Sequence, residues 1–506
     1  MDSKEFREFG KATVDFIADY IENIRERSAL PNVEKGYLHK LLPGEVPKDG
    51  QNWKDVLADV ENTILPGLTH WQSPKFNAYF PTASSYPSIV GEMLSAAFGC
   101  MGFSWIASPA CTELEVLTLN WLGQLIGLPS EFLSSSGGPG GGVIQGSASE
   151  ATLVAILVSK EKVLKEIKAQ NPDIDEDVLQ GKLVAYSSDE SNSSVEKAGK
   201  LASVKLRLLK TDREGRLRGS VLLEAIKKDK SAGLIPFCVI TTLGTTGTCA
   251  IDPLNEIGPI CHKENIWLHI DAAYAGAAAI CPEYRYIMDG VRYGDSFDIN
   301  AHKWLLVNFD CSVMWLKNTK YLIEAFNVDR LYLKHESHQE NKNAPDFRHW
   351  QIPLGRRFRS LKLWMTLRIY GVNGLQKHIR NHCQLAKYFE TLVKNDHRFE
   401  LVIPATFGLV GFRIKGDNGL SQKLLEKLTS SKQLYLVATN VNDKFVLRYV
   451  ICSRLMDQND VNFAWEQITG KTSELIHERY TMNSKQMSVC PKKEFACENN
   501  NVRIVN

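Results

Sequence analysis

Ile266-Trp-Leu-His-Ile-Asp-Ala-Ala-Tyr-Ala-Gly276 and Ser296-Phe-Asp-Ile-Asn-Ala-His-Lys-Trp304 are the two stretches on which the fold turns. Each opens with a short apolar run of strand type. The first run delivers Asp271 at its far end, and the second leads into Asn300 and Lys303. In α/β sheets, ligands bind beyond the carboxyl ends of strands, where the following turns converge, so both residues stand at site positions. A lysine can hold an aldehyde as a Schiff base, and a carboxylate can keep a pyridine nitrogen protonated so that the ring accepts carbanion electrons. Taken singly, Asp271 reads as a turn or cap carboxylate and Lys303 as a solvated surface charge. Taken together, 32 positions apart, they point to pyridoxal phosphate (PLP) as cofactor.

Outward from this pair, strand-like runs (Leu183 to Ser187, Val204 to Leu209, Ile235 to Thr242) alternate with helical ones between about residues 82 and 376. Such alternation predicts a large α/β domain built on a mostly parallel sheet covered on both faces. Residues 1–81 read as a helical extension. Phe6, Phe9, Val14, Ile17, Ile21 and Ile24 recur at helical spacing and need a partner surface, and a second helix runs from Trp53 to Ile64. Residues 377–481 mix helices with short strands such as Phe407 to Ile414 and Lys444 to Val450, which predicts a small α+β domain. Residues 482–506, rich in Asn, Lys and Ser, read as a mobile tail.

Composition narrows the partners. Sixty basic and 58 acidic side chains give a net charge of +2, too balanced for nucleic acid or an anionic membrane, so the expected partner is a small molecule. The N-terminus lacks an apolar signal core and no stretch approaches the ~20 apolar residues of a membrane helix, which predicts a cytoplasmic protein. Eleven cysteines, an odd number without a CxxC pair, argue against a disulfide framework and a zinc ribbon.

Three further stretches carry chemistry. Gly137-Gly-Pro-Gly-Gly-Gly-Val-Ile-Gln-Gly146 leads through Ser147, Ala148 and Ser149 into a helix whose N-terminus suits a phosphate. It lacks the Walker A ending and the GxGxxG spacing, and a flexible linker with a serine cap fits it equally well until Asp271 and Lys303 are considered. Thr242-Leu-Gly-Thr-Thr-Gly-Thr248 is slim enough to approach a flat ring, and Thr246 and Asp252 take supporting roles there. His70-Trp-Gln-Ser-Pro-Lys-Phe-Asn-Ala-Tyr-Phe-Pro-Thr82 gathers aromatic side chains that suit a flat phenolic substrate, although each ring alone reads as core. His335 and His338 lack further ligands nearby, so no metal is expected.

Asn77-Ala-Tyr-Phe-Pro-Thr-Ala-Ser-Ser-Tyr86, Phe103-Ser-Trp-Ile-Ala-Ser-Pro-Ala-Cys-Thr-Glu113, Asp271-Ala-Ala-Tyr-Ala-Gly276 and Asn300-Ala-His-Lys-Trp-Leu-Leu-Val-Asn-Phe-Asp-Cys311 resemble the group II PLP-dependent decarboxylases, in their aromatic-L-amino-acid decarboxylase branch. The resemblance runs to about residue 475. It implies the aspartate aminotransferase-like fold-type I and an intertwined homodimer with active sites at the subunit interface. It also implies that Lys303 binds the cofactor covalently and Asp271 pairs with its ring nitrogen. Ser147, Ala148, Ser149, Asn192, Thr246, Ala273, Asn300 and His302 would surround the cofactor. Trp71, Tyr79, Phe80, Thr82 and His302 would line the substrate pocket, with Met101 and Phe103 supplied by the partner subunit. Tyr332 would protonate Cα after carbon dioxide leaves.

Asn192, in Tyr186-Ser-Ser-Asp-Glu-Ser-Asn-Ser-Ser-Val195, departs from that pattern. Decarboxylases of the branch carry histidine there, whereas asparagine resembles the insect aldehyde synthases, which form 3,4-dihydroxyphenylacetaldehyde. An imidazole relays protons near neutral pH and an amide does not. The expectation is therefore decarboxylation of L-DOPA coupled to oxidative deamination by molecular oxygen, giving the aldehyde, carbon dioxide, ammonia and hydrogen peroxide. The alternatives are a conventional decarboxylase releasing dopamine and, with intact Lys303, Asp271 and Tyr332 against it, a non-catalytic binding protein.

Overall fold

The computed structural model describes residues 1–328 and 344–488. Seven strands form its main sheet: β1 (Gly141–Gln145), β2 (Leu183–Ser188), β3 (Lys205–Leu209), β4 (Ile235–Thr242), β5 (Trp267–Asp271), β6 (Ser296–Asn300) and β7 (Ser312–Leu316). Their order is β1-β7-β6-β5-β4-β2-β3. The pairs from β3 through β6 are parallel, and β7 runs antiparallel to both β6 and β1. Every residue of β5, β6 and β7 is buried, as expected for strands covered on both faces.

Side chains of one strand separate into two cores with period two. Val184, Tyr186, Val239, Leu268, Ile270, Phe297 and Ile299 enter one core, which also contains Leu119, Leu122 and Ile126 of the helix Pro109–Ile126. Leu183, Ala185, Cys238, Ile240 and Trp267 enter the other, with Val154, Ile156, Val158 and Leu164 of the helix Ala148–Gln170. Two apolar layers thus clamp the sheet and leave its carboxyl-end turns to build a site.

A second, antiparallel sheet contains β8 (Phe399–Thr406), β9 (Leu409–Ile414), β10 (Val437–Val441) and β11 (Lys444–Val450), in the order β10-β11-β9-β8. Its core gathers Phe389, Phe412, Tyr449, Leu424 and Val461 from that sheet and three helices. The helix Arg359–Asn395 leads into this part and crosses the expected boundary at residue 376, kinking at Gly371 (φ 61°, ψ 179°). The last helix, Gln458–Ser488, continues the backbone through residues 482–488, the first part of the expected mobile tail.

The N-terminal helix Ser3–Glu22 is closed by a capping box, with Asp2 accepting from the Lys4 and Glu5 amides and Glu5 accepting from the Asp2 amide. Its apolar stripe buries no residue in the chain, and Phe6 stays 66% exposed. The second expected helix spans Trp53–Asp59 and then widens into a π turn over Val60–Ile64. Among the described residues, no helix is long and apolar enough to cross a membrane.

Candidate active site

Four strands of the main sheet end in polar side chains on the same side: Ser188 on β2, Thr242 on β4, Asp271 on β5 and Asn300 on β6. The Ser188 Oγ, Thr242 Oγ1 and Asn300 Oδ1 atoms are buried and have no hydrogen-bond partner among the described residues. Buried polar atoms are normally paired, so these strand ends suit a polar group from outside the chain. Asp271 is 4% exposed and takes one hydrogen bond, at Oδ1, from the Ala273 amide at 2.9 Å. Burial first, and the nearby Asp298 second, push its carboxyl up to about 6. A cation beside it, such as a protonated ring nitrogen, would restore the ionised form.

Lys303 lies in the short helix Ala301–Trp304 directly after β6. Burial lowers the pKa of its ammonium, opposed by the charges of Asp271 and Asp298, which makes the amine a better nucleophile toward an aldehyde. Next to it, the His302 Nδ1 accepts the Cys311 amide N–H at 2.8 Å, so the neutral ring carries its proton on Nε2. Burial, with help from the Lys303 charge, pushes His302 down to about 3 and keeps it neutral.

The anion end of the site is the start of the helix Ala148–Gln170. Ser147 caps it by accepting the Glu150 amide at 3.2 Å, and the Ala148 and Ser149 amides belong to its first turn. A 23-residue helix presents its positive end and free N–H groups there. The lysine, the buried carboxylate and this phosphate-ready helix end fit PLP.

Asn192 and Thr246 meet directly, with the Asn192 Nδ2 donating to the Thr246 Oγ1 at 2.9 Å. The other end of the amide is also used. Asn192 is the N-cap of the helix Ser193–Leu201, and its Oδ1 accepts the Ser194 amide at 2.9 Å. Asp252 stays away from the site chemistry and braces the turn, accepting the Leu217 amide at 2.7 Å and the Thr242 amide at 2.8 Å.

The aromatic stretch packs beside Lys303. The Lys303 Nζ lies 5.9 Å from the centre of the Phe80 ring, which stacks on Tyr274 at 3.8 Å. Trp71 stacks on Tyr79 at 5.4 Å, and Tyr79 shares a hydroxyl hydrogen bond with Tyr435 at 2.9 Å. The Ala83 amide donates to the His302 carbonyl at 2.7 Å, and Gln72 to the Thr82 carbonyl, tying this loop to the lysine turn.

Met101 and Phe103 are not brought into this cluster. Met101 is 52% exposed, and the segment is instead held by Arg356 and Arg348, whose backbones pair with Gly102 and Phe103. Tyr332, His335 and His338 lie outside the described residues. Among the described residues, no group of three or more His, Cys, Asp or Glu side chains is placed to hold a metal ion.

Residues 35–415 match the model of the pyridoxal-dependent decarboxylase conserved domain. The chain belongs to this pyridoxal-dependent decarboxylase family. The decarboxylase is 54% identical over 479 residues to the aromatic-L-amino-acid decarboxylase of Drosophila melanogaster, covering 95% of this chain and 93% of the relative. It is 53% identical over 476 residues to that of Mus musculus, covering 94% and 99%. Among solved structures it is similar to Catharanthus roseus tryptophan decarboxylase in complex with L-tryptophan, with TM-score 0.88, 40% identity, and 94% and 99% of the two chains covered. It is similar also to Rhodiola rosea 4-hydroxyphenylacetaldehyde synthase, with TM-score 0.87, 37% identity and the same coverage. The decarboxylase is thus a fold-type I, PLP-dependent carbon-carbon lyase.

Several residues of the site escaped sequence reasoning. Arg448 donates to the Tyr79 carbonyl at 3.0 Å and to the Gly247 carbonyl at 3.1 Å, joining the aromatic loop to the Thr246 turn. Its signal was an arginine inside the apolar strand β11. Tyr274, inside the Asp271 to Gly276 turn, carries Phe80 stacked on its ring. Asp298 lies beside Asp271 on the adjacent strand, with His269 two positions earlier on β5, and the polar alternation Ser296, Asp298, Asn300 in β6 sets Asp298 on the site face.

Proposed function

We propose that this decarboxylase acts on L-DOPA and releases 3,4-dihydroxyphenylacetaldehyde. L-DOPA, molecular oxygen and water give the aldehyde, carbon dioxide, ammonia and hydrogen peroxide. When bound, PLP supplies an electron sink for the pair left at Cα as the carboxylate departs. Lys303 would hold it through Nζ, Asp271 would keep a proton at the ring nitrogen, and the Ser147, Ala148 and Ser149 turn would take the phosphate with Asn300 alongside. Thr246 and Ala273 would border it. Trp71, Tyr79, Phe80 and Thr82 wall the substrate ring against water, and the neutral His302 offers an N–H that moves no proton at working pH.

Asn192 carries the aldehyde reading. Its amide is held at both ends, by the Ser194 amide and by the Thr246 hydroxyl, and an amide neither gives nor takes a proton near neutral pH. Protonation of Cα is thereby slowed, and oxygen removes the electron pair instead, becoming hydrogen peroxide with two protons. Hydrolysis of the remaining C=N bond gives aldehyde and ammonia. About 1.4 kcal/mol between the competing barriers changes the product ratio tenfold. A second reading, simple release of dopamine, is favoured by the 54% identity to the Drosophila melanogaster aromatic-L-amino-acid decarboxylase and assigns Cα protonation to Tyr332.

The working form is proposed to be a homodimer, in which Met101 and Phe103 complete the partner's pocket. The helix Tyr86–Phe98 supports this by leaving Val90, Met93, Leu94 and Phe98 between 38% and 60% exposed, an apolar patch that a second copy would cover. A cytoplasmic location accords with the nine described cysteines, all unpaired. The decisive experiment supplies purified holoenzyme with L-DOPA and measures oxygen uptake, peroxide, ammonia and aldehyde beside dopamine. Asn192→His is expected to move product toward dopamine. Stoichiometric dopamine without oxygen uptake from the unaltered protein would refute the aldehyde reading.

A further inference from the structure

The chemistry above leaves Asp298 unused, although it occupies the heart of the site. Parallel pairing of β5 with β6 sets Asp298 beside Asp271 and Ser296 beside His269. The Asp298 and His269 side chains are fully buried, with the Asp298 Oδ1 3.2 Å from the His269 Nε2. No donor among the described residues makes a hydrogen bond to either Asp298 carboxyl oxygen. The other side of His269 is better held, with Nδ1 2.9 Å from the Ser296 Oγ, which also takes the Trp267 indole N–H at 2.9 Å.

Two adjacent carboxylates in a dry setting do not both ionise. Asp271 has a backbone N–H to stabilise its charge, whereas the Asp298 carboxyl takes no hydrogen bond from the described residues, so Asp298 is the one to keep a proton. Among the described residues, the ionisable groups facing Asp298 are Asp271 and His269 on β5 and Lys303 after β6. Burial moves the groups apart in the same sense, raising Asp298 to about 8 and lowering His269 to about 4.

We propose that Asp298 is a positioning residue that works as a neutral acid facing the His269 Nε2, so that the negative charge offered to the cofactor's ring nitrogen rests on Asp271. This rests on the cofactor roles proposed for Asp271 and Lys303. Loss of the Asp298 proton in mild alkali would set a second negative charge beside Lys303 and alter the absorbance of the Lys303-bound cofactor.

The test compares holoenzyme carrying Asp298→Asn, an isosteric neutral mimic, with the unaltered protein and with Asp271→Asn. Asp298→Asn is expected to bind PLP within about threefold of the unaltered protein at neutral pH and to lose the alkaline absorbance transition, while Asp271→Asn weakens PLP binding about tenfold or more. Tenfold weaker PLP binding by Asp298→Asn, or an alkaline transition that survives in it, overturns the proposal. If only Asp271→Asn binds normally, the cofactor reading of Asp271 fails instead. Should Asp298→Asn not fold, infrared spectra of isotopically labelled Asp252→Asn holoenzyme decide, because Asp252 is another buried carboxyl, raised to about 7. A buried protonated carboxyl band at neutral pH that vanishes above about pH 9 supports the neutral acid, and its absence at neutral pH refutes it.

Discussion

Arg356→Ala should loosen the segment that carries Met101 and Phe103 without touching either residue. The Arg356 and Glu115 side chains are 2% and 1% exposed and meet at 2.6 Å. The same guanidinium donates to the Ile144 carbonyl at 3.2 Å, the Gly102 carbonyl at 3.3 Å and the Gln351 Oε1 at 2.8 Å, and lies 4.2 Å from the Phe347 ring centre. Removing one partner of a buried ion pair costs about 3–5 kcal/mol, because the remaining charge stays in the dry interior. At about 1.4 kcal/mol per factor of ten, local opening rises roughly a hundredfold to several thousandfold. Arg356→Lys keeps the charge but not the planar fork and should lose about 1–2 kcal/mol. Hydrogen exchange of the peptide around Gly102, whose amide donates to the Arg356 carbonyl at 3.3 Å, reads the opening directly. A parallel measurement with Glu115→Gln and the double variant completes a coupling cycle. Exchange within about threefold of the unaltered protein, or strictly additive effects, would refute the reasoning.

Two further outcomes follow from the electrostatics. His302→Gln retains an acceptor for the Cys311 amide and an N–H donor, so it should lower kcat/KM by about tenfold and leave the shape of its pH profile unchanged. Loss of an inflection near the ordinary histidine value would show that His302 titrates after all. Asp252 is pushed up to about 7 by burial. The folded chain therefore binds that proton more tightly than the unfolded chain, and the associated stability is present in acid and lost as pH rises through about 7. Thermal unfolding from about pH 4 to 8 should show this fall, and Asp252→Asn should flatten it.

Asp271 and Lys303 were legible because each follows a strand whose burial is written in its own apolar residues. β1 was not, because Gly140 to Gly142 look like a flexible turn. The structure gives those glycines another reason. A Cβ on Gly141 would lie 2.9 Å from Trp350, and one on Gly142 would lie 2.8 Å from Trp315, so the strand is slim to admit two indoles. Arg356 and Glu115 are 241 positions apart, and no local pattern connects residues at that distance. Met101 is 52% exposed, and the pocket role proposed for it and Phe103 depends on the proposed second copy, which no pattern within one chain records.

Asn192 links two selective pressures that are usually independent. The amide proposed to withhold a proton from the substrate is also the N-cap of the helix Ser193–Leu201, where replacing such a cap costs about 1 kcal/mol. A lineage moving between amine and aldehyde products through this position must therefore repair a helix terminus as it changes its chemistry. Compensating changes belong at Ser193 and Ser194, next to the frayed turn, rather than around the reacting carbon.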